Sequence, residues 1–195
     1  MLQSEKSSRT HRQLLSAAKK LFLQRGFNHT GIADIVAEAG YSTGVFYRHF
    51  KTKPDILLEL WSEFLESFIT ESIGGAMEAP GLDQAIDYLM LRSGEYFSHP
   101  MVRCYYEAGI VKGETGGREF IPAGAKDFTN MLYSLLKKEY PTAGERCLRT
   151  YASAMHAVIN AYSASEELGQ DYFFDEQITR RLLLTMAREA GYGNT

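Results

Sequence analysis

The chain of 195 residues is 45% hydrophobic and 23% charged, with two cysteines, a composition that excludes collagen-like, disordered and disulfide-scaffold classes. No apolar stretch approaches the ~18 residues needed to span a bilayer, so no membrane partner is expected. The net charge of −3 hides an uneven distribution: residues 1–53 hold nine basic side chains against Glu5, Asp34 and Glu38, a net +6, whereas 54–195 carries −9.

A basic head on an acidic body points to a polyanionic partner for the head. The polar opening MLQSEKSSRTHRQ has no signal-peptide centre. Cys104 and Cys147 lie far apart and outside any C-x-x-C, so free thiols in a reducing cytoplasm are expected.

Leu14, Ala18, Leu21 and Phe22 recur at helical spacing and form the stripe of a first helix that stops at Gly26. Thr10 with Gln13 has the form of a capping box at its start, with Ser7 as a rival cap. A second helix is predicted from Thr30 as N-cap through Ile32, Ile35, Val36 and Ala39, stopping at Gly40. Ser42 caps a third, from Thr43 to about Phe50, and Lys53-Pro54 opens a fourth. The third is very short. Val45, Phe46 and Phe50 anchor it, which turns Thr43, Gly44, Tyr47, Arg48 and His49 outward. Helix, three-residue turn around Gly40, helix is a helix-turn-helix, in which the second helix enters the DNA major groove.

Three blocks carry a resemblance in register: Leu21 to Phe27 (LF-x-x-x-GF), Ala39 to Gly44 (AG-x-S-x-G) and Phe46 to Lys53 (FY-x-HF-x-x-K). With them the stretch from Arg9 to Leu58 resembles the N-terminal domain of the tetracycline-repressor (TetR) family of bacterial transcription regulators. The resemblance implies base-facing roles for Thr43, Gly44, Val45 and Tyr47. It implies phosphate contacts from Thr30, His49 and Lys53 and also from Tyr47, and Ser42 and Arg48 are expected to join them. Hydroxyls, imidazole, ammonium and helix N-termini all donate to phosphate, which fixes register without reading sequence. Ala33 departs from the family pattern, since many relatives carry a polar base-reading residue there. Val36 stands where the smaller alanine is usual. Direct readout is therefore thin, and DNA shape is expected to share the specificity.

Beyond residue 58 the pattern is all-helical, and an all-α fold is expected: a helix-turn-helix domain over 1–53 and a helical ligand-binding and dimerisation bundle over 54–195. Trp61, Phe64 and Phe68 lie on the fourth helix, which joins head to body, and Leu82 to Phe97 marks a fifth, stopped by Pro100. Met101 to Val111 makes a sixth, Gly113, Gly116 and Gly117 a loop, and Phe128 to Leu136 a seventh ending at Tyr140-Pro141. The eighth runs from about Ala143 to Leu168 and the ninth from about Asp175 to Ala190.

The aromatic and methionine set of Trp61, Phe64, Phe68, Met101, Tyr105, Tyr106 and Phe128 reads either as plain core or as the lining for a mostly apolar small-molecule effector. Leu148, Tyr151, Met155, Ile159 and Tyr162, with Leu183 and Met186, make the last two helices apolar around much of their circumference. Four such helices, two per subunit, would form the bundle of a homodimer. His99 and His156 stand alone without metal spacing, His156 reads as a packed or interface residue, and Cys104 as buried. No catalytic or cofactor motif (G-x-S-x-G, P-loop or H-E-x-x-H) occurs. The reading is a non-enzymatic, effector-responsive regulator that binds a palindromic double-stranded DNA operator as a dimer, most simply a repressor. Two alternatives stay open at this stage: an all-α small-molecule-binding protein, and a helical adaptor that meets protein instead of DNA.

Overall fold

The computed structural model describes residues 3–109, 123–168 and 175–193. Those residues form helices and no strand: α1 (Gln3–Arg25), α2 (Ile32–Ala39), α3 (Thr43–His49), α4 (Lys53–Glu78), α5 (Leu82–Ser98), α6 (Pro100–Glu107), α7 (Ala123–Glu139), α8 (Glu145–Leu168) and α9 (Glu176–Tyr192). The predicted glycine loop at 113–117 lies outside the described residues.

Most boundaries fall where the stop signals stand, and two start signals do not. α1 begins well upstream of Thr10, whose hydroxyl donates to the Lys6 carbonyl at 3.0 Å within the helix and so caps nothing. α2 takes Gly31 as its N-cap instead of Thr30; the Asp34 carboxylate accepts the Gly31 N–H at 2.8 Å. Thr30 is 1% exposed and donates its hydroxyl to the Gly26 carbonyl at 2.8 Å. Thr52 and Asp55 form a reciprocal cap before α4, Thr52 N–H to the carboxylate at 2.8 Å and Asp55 N–H to the hydroxyl at 3.3 Å.

The chain divides into two compact units that do not follow the 53/54 boundary. The first comprises Met1–Leu65 and His99–Glu119; the second comprises Glu66–Ser98 and Phe120–Thr195. The opening turns of α4 stay with the head because Ile56, Leu57, Leu60 and Trp61 are buried. α6 joins them by packing on α1, with Met101, Val102 and Cys104 buried. The second unit is a bundle in which α8 packs on α5, α7 and α9. Its core gathers Ile86, Leu89, Leu132, Leu136, Leu148, Met155, Ile159 and Leu183.

Candidate nucleic-acid interface

The helix-turn-helix is built around a glycine in a backbone conformation that favours glycine. Gly40 ends α2 at φ +74, a left-handed conformation that costs a side-chain-bearing residue. Tyr41 N–H then closes the helix on the Val36 carbonyl at 2.8 Å. The Tyr41 phenol donates to Gln13 Oε1 at 2.5 Å and lies 3.4 Å from the Thr10 hydroxyl, so the turn is pinned to α1. Ser42, in extended conformation, opens α3 through its backbone carbonyl, which accepts Val45 N–H at 2.9 Å; its hydroxyl makes no cap bond.

α3 is held by two rings. Phe46 is fully buried and Phe50 nearly so, their centroids 5.6 Å apart. That anchoring leaves Ser42, Thr43, Gly44, Tyr47 and Arg48 exposed and Val45 and His49 half-buried. Tyr47 is 56% exposed and stands edge-on to Phe46. At the far end His49 lies 5.5 Å from the ring of His11, which stacks on Phe50 at 4.7 Å and is hydrogen-bonded to Glu59 at 2.6 Å. Burial, then the neighbouring His11 and Arg48, holds the His49 pKa below the ordinary imidazole value. A neutral His49 keeps one N–H donor, which suits a phosphate oxygen.

Two of the residues assigned to phosphate serve the frame first. The Thr30 hydroxyl is buried and committed, which removes it from the DNA-facing set. Lys53 donates to the carbonyls of Phe27 and Thr30, both at 2.9 Å, with its ammonium 3.9 Å from the centre of the Phe27 ring. An ammonium has three donors, so one remains for a phosphate. The same α1–α2 turn is also held by Glu107 of α6, whose carboxylate accepts Phe27 N–H at 2.8 Å and Asn28 N–H at 3.2 Å. Tyr41, His11 and Glu107 escaped the sequence reading. Tyr41, beside the Ser42 cap, carried a local signal; Glu107 carried none, because its partners lie about 80 residues away.

The candidate effector residues are shared between the two units. Trp61, Phe64, Met101, Tyr105 and Tyr106 belong to the first, where Trp61 stacks on Tyr105 at 4.3 Å and Met101 is fully buried. Phe64 stacks on His99 at 4.3 Å, and His99 caps α6 by accepting Met101 N–H. Phe68 and Phe128 belong to the second unit: Phe68 lies under the Arg92 guanidinium at 4.1 Å, and Phe128 packs against His156 at 4.8 Å. His156 is hydrogen-bonded to Thr129 at 2.8 Å, a packed histidine between α7 and α8. Cys104 is fully buried with its thiol on the Phe22 carbonyl, and burial raises its pKa.

The residues assigned to the dimer interface need a correction. Leu148, Met155, Ile159 and Leu183 are completely buried within a single chain, and Tyr162 nearly so. Their stripe is the bundle's own core, already covered by α5, α7 and each other, so it offers a partner nothing. Tyr151 and Met186 are half-buried. Among the described residues, the apolar groups exposed on α8 include Ala157 and Ala161, and those on α9 include Ile178, Leu182 and Tyr192, at 67%, 45% and 79% exposure.

Comparison with known proteins bears on both units. Residues 14–60 match the family described as bacterial regulatory proteins, tetR family. The HTH-type transcriptional regulator AcrR of Shigella flexneri is 37% identical over 67 residues, 34% of this chain and 31% of that protein. The matched stretch thus spans under a third of that curated relative's length. Among solved structures, the Bacillus subtilis transcriptional regulator FadR, in complex with stearoyl-CoA, aligns over 93% of this chain and 98% of its own, at 17% identity and TM-score 0.59. A TetR-family regulator from Pectobacterium atrosepticum aligns over 97% and 93%, at 17% identity and TM-score 0.64. Identities that low carry the fold alone.

Proposed function

Residues 14–60 match the tetR family of bacterial regulatory proteins, and we propose that the chain is a member of that family, an effector-responsive, sequence-specific DNA-binding repressor that acts as a homodimer in the cytoplasm and catalyses no reaction. The observation that carries this reading is α3: a seven-residue helix fixed by Phe46 and Phe50, with a polar outer face of Thr43, Tyr47 and Arg48. Gly44 on that face lets the backbone approach a base edge closely. Ser42, Arg48, His49 and the third N–H of Lys53 are the phosphate donors of this reading. Thr43, Val45 and Tyr47 meet the bases with a methyl, an isopropyl and a phenol.

Dimerisation in this reading uses the outer face of the α8–α9 pair. Ile178 and Leu182 are one turn apart, and Ala157 and Ala161 let a second copy approach closely. The effector is mostly apolar and small, met by the aromatic side chains around Trp61 and Tyr105. FadR, a structural relative, is solved in complex with stearoyl-CoA, a larger and partly anionic ligand whose acyl chain is apolar.

The test is selection of duplexes from a random-sequence library, followed by gel retardation. A palindromic selected site, bound with strong salt dependence, is the expected result. Thr43→Ala and Tyr47→Ala should then change which sequences are selected, and Arg48→Gln should weaken all of them alike. Retention of no sequence over another would overturn the reading.

A further inference from the structure

Residues 5–9 of α1 contribute no side chain to a core. They are all exposed, and the first fully buried side chain of the helix is Leu14. A helical segment that is polar all round gains nothing from packing, so its composition is the place to look for its use. Here that composition is basic: Lys6 and Arg9 are exposed and enter no ion pair among the described residues. Arg12 and Lys19 are likewise exposed and without an ion pair among the described residues, whereas two cations nearer the end of α1 are paired. Lys20 is paired with Glu38 at 2.5 Å and Arg25 with Asp34 at 3.0 Å, both acids being supplied by α2.

The position of Lys6 and Arg9 is set by Tyr41. Its phenol meets Thr10 and Gln13, and it directly precedes Ser42, where α3 begins. Lys6 stands four residues before Thr10, whose hydroxyl reaches its carbonyl, and Arg9 stands four before Gln13. Residues four apart share a helix face, so Lys6 and Arg9 occupy the face that holds Tyr41, about one turn or 5.4 Å further out.

We propose that Lys6 and Arg9 form a second DNA-contacting element, which grips backbone phosphates flanking the half-site that α3 reads. The inference rests on the DNA-binding reading above and adds to it a longer footprint than α3 alone would give. Charge complementarity names the occupant. Two unpaired cations beside the start of a groove-reading helix meet the densest line of negative charge that such a complex contains. These contacts position and steer; they read no base.

The test uses the full chain and a duplex that it selects from a random-sequence library. Lys6→Gln/Arg9→Gln keeps good helix formers and removes both charges. Lys138→Gln, an exposed lysine of the second unit, is the control for loss of charge anywhere. The double variant should show a salt slope shallower by about 2 per bound head, so that the wild-type advantage shrinks about tenfold per head between roughly 50 and 200 mM salt. Trimming about five base pairs, half a helical turn, from each end of the duplex should weaken the wild type and leave the variant unchanged. The order in which selected sequences are preferred should not change. An unaltered salt slope, equal losses on trimming, or an equal effect of Lys138→Gln would overturn the proposal while leaving the DNA-binding reading intact. Failure of the wild type to bind any duplex would overturn both.

Discussion

The carboxylate of Glu107 accepts the backbone N–H of Phe27 at 2.8 Å, and so ties α6 to a turn 80 residues earlier in the chain. The same oxygen, Oε2, also accepts the Asn28 N–H at 3.2 Å, which makes the contact a clasp. At the same turn, Lys53 gathers the carbonyls of Phe27 and Thr30. Donors and acceptors of one short segment are thus answered by one anion and one cation, drawn from two helices.

Glu107→Ala leaves two backbone N–H groups without their charged acceptor. Hydrogen bonds to charged groups contribute roughly 1.5–3 kcal/mol each, and partial access of water to the turn lowers the sum. A loss of about 2 kcal/mol in denaturant unfolding is expected. DNA affinity should fall with it, at an unchanged salt slope, because Glu107 touches no phosphate.

Lys53→Met keeps the length of the stem over the Phe27 ring and removes the donors. Two roles are distinguishable here. Loss of the two carbonyl bonds should cost about 1–3 kcal/mol of stability. Loss of the third donor should make the salt slope of operator binding shallower by about 1 per head. Unchanged stability with a shallower slope would assign Lys53 to phosphate alone.

For the dimer, surface and core substitutions should part company. Leu182→Arg places a charge on an exposed position of α9. The chain should stay folded by circular dichroism, become monomeric by light scattering and lose operator binding. Ile159→Arg puts the same charge into a fully buried site, and an unpaired buried charge costs more than about 4 kcal/mol. That variant should not fold.

Acid should weaken the fold through its histidines. Burial, first among the causes, lowers the pKa of His49, His99 and His156. The unfolded chain, with imidazoles near about 6.5, then binds protons that the native state refuses. Stability is full above that value and declines as the pH falls below it, levelling off once the folded-state values are passed. Urea titrations between about pH 8 and pH 5 read the slope, and His156→Gln should reduce it by up to about 1.4 kcal/mol per pH unit, one proton's share.

How much of this could be read beforehand follows from distance along the chain. The turn at Gly40 and the two rings of α3 are local: glycine's freedom and the spacing of Phe46 and Phe50 suffice to place the outward face. The Thr30 cap failed on a local rivalry, because Gly31 with Asp34 made the better start for α2 and freed Thr30 to bury its hydroxyl. The stripe from Leu148 to Ile159 failed for a different reason. Periodicity reports that a helix face is covered, and not whether the cover comes from its own chain or from a second one. The membership of α6 in the head was out of reach for pattern reading, since nothing near Glu107 refers to Phe27.

That membership has a consequence for synthesis. A ribosome delivers Met1–Leu65 well before α6, and at about 5–20 residues per second the interval is a matter of seconds. Throughout it the face of α1 around Phe22 lacks the Met101–Cys104 side chains that later cover it, and the Phe27 turn lacks its anion. The head therefore cannot close as it emerges. It waits for its last helix, and a fragment ending at Leu65 should remain in that waiting state: helical in part, sticky at Phe22, and short of the packing that orders α3.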